Sequence, residues 1–81
     1  MYRITGSGIT VDLQGIGDNC PAGTFMVFIT SGNNDWNLQY VRGIMIRNTA
    51  SATKVNITGN NEIWWVFFPV KGGAAYAGYL N

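Results

Sequence analysis

Four carboxylates, five basic side chains, one thiol and no histidine are what this sequence offers to reaction chemistry. Without an imidazole there is no Ser-His-Asp or Cys-His arrangement and no histidine-built zinc site. Cys20 stands two residues after Asp18, whose negative charge opposes thiolate formation, so the reading is an inert thiol. A glycosidase would need two of Asp12, Asp18, Asp35 and Glu62 facing each other across about 5 to 10 Å. Asp35 and Glu62 both lie at turn signals, where Asp and Glu beside Asn and Gly are ordinary turn vocabulary. "SGNNDWN" and "TGNNE" carry oxygen ligands but not the order of a calcium loop, and no lysine-bearing helix pattern follows "GSG" to cradle phosphate. The expectation is a protein that is not an enzyme and uses no cofactor; no metal site is assigned, though the oxygens of these two loops leave a metal open.

Binding chemistry is better represented. In "SGNNDWNLQY" one flat indole, Trp36, sits among Asn33, Asn34 and Asp35, with Tyr40 just beyond. A pyranose stacks its C–H face on an aromatic ring while amides and carboxylates take its hydroxyls, so Asn33, Asn34, Asp35, Trp36 and Tyr40 form the candidate ligand site. The same residues also suit a loop whose asparagines make turns and whose Trp36 closes the end of the core. A second polar set, Asn60, Asn61 and Glu62, could complete the site if it lies alongside.

The bulk composition narrows the partners. The chain has 81 residues, 47 % hydrophobic, 14 % aromatic and only 11 % charged, enough for one β-domain with a thin core. A net charge of +1, with Arg3, Arg42, Arg47, Lys54 and Lys71 scattered, provides no field to steer nucleic acid. One cysteine cannot make an internal disulfide, and no window approaches the length of a membrane helix. No membrane insertion is expected.

These candidate residues must be held by strands. Turn signals recur at 6–8, 15–23, 31–35, 48–52, 59–61 and 71–73, and between them lie β-branched and aromatic runs. Strands are expected at 2–5, 9–13, 24–30, 38–47, 53–58, 63–70 and 75–80, in an all-β fold: a small antiparallel β-sandwich or barrel. Residues 9–13 and 53–58 alternate cleanly, whereas "FMVFI" at 25–29 and "IWWVFF" at 63–68 are apolar on both faces. An aromatic face left bare would exceed the few hundred Å² of apolar patch usual on a monomer. One face therefore packs the core and the other meets a neighbouring subunit, with Trp64, Val66, Phe68 and Val70 as the expected oligomer interface. The alternative is a closed barrel whose outer face is covered by the loops at 14–23 and 30–37. Pro69 cannot donate to a ladder, which marks the end of the aromatic strand.

The "DL" at Asp12 and Leu13, the "PAGTFMVFI" strand at 21–29, the "RGIMIR" strand at 42–47 and the late Trp64 and Trp65 together resemble the C-terminal head or knob domains of bacteriophage tail fibres and tailspikes. The resemblance implies a homotrimeric tip, residues 1–81 of a longer fibre chain, at the distal end of a virion's tail fibre. It also implies a role in host attachment through bacterial surface polysaccharide or an outer-membrane component, without a cofactor. Two alternatives stand beside it: a structural trimerisation module without a ligand, and a monomeric carbohydrate-binding module.

Overall fold

Every one of the expected β-branched and aromatic runs forms a strand in the computed structural model, which describes residues 1–30, 34–46, 51–58 and 62–80. The strands are β1 (Tyr2–Ile4), β2 (Ile9–Asp12), β3 (Thr24–Thr30), β4 (Trp36–Ile46), β5 (Ser51–Ile57), β6 (Ile63–Phe68) and β7 (Ala75–Tyr79). They join in one nearly closed, barrel-like sheet in the order β1-β3-β6-β7-β4-β2, with β5 paired to β4.

The expectation of an antiparallel sheet needs correction. β3–β6, β6–β7 and β4–β5 are antiparallel, but β1–β3, β2–β4 and β4–β7 are parallel. A hairpin can only make antiparallel neighbours; a parallel pair needs an intervening crossover. Here the intervening elements serve, as β2 does between β1 and β3.

The loop expected at 14–23 also differs, because it contains a helix, α1 (Gln14–Asn19). Gly15 and Gly17 disfavour a helix by about 1 kcal/mol each relative to alanine, which hides it from a propensity reading. Packing reverses the preference at Gly17: a Cβ there would stand 2.8 Å from Cε1 of Tyr40. The tyrosine ring thus occupies the space a side chain would take, and its hydroxyl donates to the Gly73 carbonyl at 2.9 Å. The Gly72 N–H donates to the Gly17 carbonyl at 3.1 Å, so the β6–β7 turn is tied to α1 as well.

Alternation along each strand sends one set of side chains into the barrel. β4 contributes Trp36, Leu38, Tyr40 and Ile44, all fully buried. Phe28 of β3 lies 5.5 Å from Trp36, ring centroid to centroid, and Tyr40 meets Phe68 edge-on at 5.8 Å. On β6 the inward residues are Trp64, Val66 and Phe68, opposed across the ladder by Phe28, Met26 and Thr24. The expected interface set is thereby corrected. Trp64, Val66 and Phe68 are core residues of the single chain, and of that set only Val70, beyond the strand end, is exposed. The outward face of β6 carries Ile63, Trp65 and Phe67 instead. Strand parity says which residues share a face, not which face is inside.

Candidate functional site

The expected ligand loop does not assemble as an aromatic platform. Asn33 lies outside the described residues. Asn34 is half-buried and accepts a hydrogen bond at Oδ1 from the Ser7 hydroxyl at 3.3 Å. Asp35 is exposed, and its carbonyl accepts from the Gly8 N–H at 2.7 Å. Trp36 and Tyr40, by contrast, are fully buried, because even-numbered positions at the start of β4 point inward. Neither ring offers a face to a sugar, which corrects their assignment to a stacking site. Asn60 and Asn61 lie outside the described residues. The Glu62 carbonyl accepts from both the N–H and the hydroxyl of Thr30, at 3.0 and 2.9 Å.

The ionisable groups around α1 meet where the helix packs on β4. Arg42 donates through Nε and Nη2 to Oδ1 of Asp18, at 2.9 and 2.6 Å, and Asp18 holds the guanidinium more firmly protonated. Burial pushes the Tyr40 phenol above its ordinary value, with Arg42 opposing the shift and Asp18 adding to it. Among the described residues no group of three or more His, Cys, Asp or Glu side chains could hold a metal ion. No helix among them is long and apolar enough to cross a membrane.

What the tertiary structure does assemble is two outward faces of opposite character. On the first, the ladder aligns Phe25, Phe67 and Tyr76 in one row and Val27, Trp65 and Gly78 in the next, with Ile29 beside Ile63 beyond. The rings of Phe25 and Trp65 are nearly parallel, at 14° and 6.3 Å between centroids. Phe25, Trp65, Phe67 and Leu80 line a shallow hollow of about 320 Å³. Phe25 is 57 % and Leu80 62 % exposed, a marked openness for apolar side chains set side by side.

The second face lies on β2, β4 and β5. Thr10, Asn37 and Asn56 form one cross-strand row, and Asp12, Gln39 and Lys54 the next. Asn56 Nδ2 donates to Asn37 Oδ1 at 3.1 Å, closing the first row. After Gln39 the register slips, so that Ile44 faces Ala52, and Gly43 takes a φ of 97°. This β-bulge opens a cleft of about 360 Å³ at the end of the second row, lined by Asp12, Gln14, Gln39, Val41, Thr53 and Lys54.

The sequence carries part of the signal for this face. Thr10 and Asp12, and Lys54 and Asn56, are the polar halves of the two cleanly alternating strands. That β4 runs between them, presenting Asn37 and Gln39 at the same level, is a fact of pairing. Comparison with protein-family models, with curated proteins and with solved structures found no match.

Proposed function

We propose that this protein is a non-catalytic attachment module that associates with copies of itself through the outward face of β3, β6 and β7, and engages its ligand with polar surface elsewhere. The observation that carries the reading is the apolar hollow lined by Phe25, Trp65, Phe67 and Leu80, on a face with no further layer of the chain over it among the described residues. Self-association is the economical way to cover such a face, since in a closed cyclic assembly every copy buries equivalent surface against its neighbours. The resemblance to phage fibre tips supports three copies, a place at the distal end of a virion fibre, and bacterial surface glycan as the ligand. Multivalency suits shallow sites, because linked copies bind far more tightly than one.

The test is the solution mass by light scattering, followed on dilution. A mass of three times the 8.9 kDa chain is expected, falling to that of one chain when Trp65 is replaced by Arg. A protein that is monomeric at all concentrations overturns the assembly. It would favour a second reading, for which the near-parallel rings of Phe25 and Trp65 speak: a monomeric carbohydrate-binding module with these rings as its platform.

A further inference from the structure

We infer that the cleft at the end of the Asp12–Gln39–Lys54 row binds a saccharide unit through its hydroxyls; this deepens the reading of an attachment module by naming the ligand-binding surface. Three properties of the cleft select that chemistry. The first is its donor and acceptor inventory. Gln39 offers an amide oxygen and an NH₂, Lys54 three N–H donors and Thr53 a hydroxyl that does both. Asp12 Oδ1 already accepts the Gln14 backbone N–H at 3.0 Å, which orients the carboxylate. Gln39 and Lys54 are both exposed, so their side chains reach solvent where a ligand would sit. A sugar hydroxyl both donates and accepts, so this mixed set of carboxylate, amide, ammonium and hydroxyl can serve it from either side.

The second property is charge. Asp12 and Lys54 flank Gln39 from opposite sides, so one carboxylate balances one ammonium. A phosphate or nucleotide would find no net positive field there. The third is shape. A volume of about 360 Å³ lies at the small end of ligand pockets, the scale of one or two sugar rings. Val41, 60 % exposed on the bulge, supplies an apolar edge for ring C–H groups. The bulge itself is what lets Val41 and Thr53 frame the cleft rather than continue a flat ladder.

The experiment is a two-dimensional amide NMR titration of the 81-residue chain with glucose, galactose and N-acetylglucosamine at millimolar concentrations, with glycine betaine and inorganic phosphate as zwitterion and anion controls. The expected result is saturable shifts at Asp12, Gln39, Thr53 and Lys54 with at least one sugar. Binding should weaken about tenfold in Gln39→Ala and in Lys54→Ala while the remaining spectrum stays dispersed. No shift with any sugar, shifts produced only by betaine or phosphate, or sugar shifts that map to Phe25 and Trp65 would each overturn the inference. The same titration on Trp65→Arg separates the two ideas. Sugar binding retained by a monomer, with the unaltered chain also monomeric, removes the assembly and keeps the cleft. A stable oligomer without sugar shifts does the reverse.

Discussion

The indole of Trp65 rests against the backbone of Gly78 on the adjacent strand, so closely that a Cβ on Gly78 would stand 2.8 Å from its Cζ2 atom. The glycine leaves a floor on which the ring lies, and the ring in turn shapes the hollow beside Phe25, Phe67 and Leu80. The absence of a side chain at one residue therefore sets where the indole of the apolar face lies.

Replacing Gly78 by Ala should displace Trp65 and lower stability by about 1–3 kcal/mol, the usual cost of forcing an extra carbon into a filled space. Thermal unfolding measures the loss, and tryptophan fluorescence reports the moved ring. An unchanged melting temperature would show that the indole yields freely.

Trp64 and Trp65 are adjacent and should behave oppositely. Trp64→Ala removes a buried side chain and should cost about 3–5 kcal/mol, read as a fall in the denaturant midpoint. Trp65→Ala should cost less in stability and more in association, because the ring lies on the outward face. Equal losses of stability would contradict the assignment of the two faces.

α1 is docked through Tyr40. Gly17→Ala should destabilise despite alanine's better helix propensity, since the ring fills the site of the new methyl group. Tyr40→Phe should cost about 0.5–1.5 kcal/mol through loss of the hydrogen bond to Gly73. Urea denaturation measures both, and a stabilising Gly17→Ala would refute the contact.

The same tyrosine makes an alkaline prediction. Its folded pKa is raised above the ordinary value of 10.0, chiefly by burial, so the folded state prefers the neutral phenol. That contribution is fully present below the unfolded value and is lost as pH rises through the folded one. Stability of the unaltered protein should therefore fall more steeply above about pH 10 than that of Tyr40→Phe. Parallel curves for the two proteins would rule out a buried ionisable phenol at this position.

Much of the architecture is legible from residue types. Turn residues at short intervals separate seven β-branched and aromatic runs, and each run is a strand, because extended backbone and a half-buried pleated surface are what these side chains favour. The helix is the exception, as Gly17 is required by contact with Tyr40 rather than by local preference. Doubly apolar β3 and β6 are legible too: alternation assigns their residues to two groups, and both groups are apolar.

The sequence by itself determined that the chain is β-structured, that it lacks histidine, and that two of its strands have no polar side. Only the tertiary structure decided that Trp64 faces in and Trp65 out, that Trp36 and Tyr40 are core residues, and that Asp12, Gln39 and Lys54 share a row. The physical reason is range. Strand propensity and alternation act between residues a few positions apart, whereas a face is chosen by which distant strands can pack together. Trp36 reads as a binding residue when its neighbours are the asparagines beside it in sequence, and as a core residue once Phe28 is beside it in space.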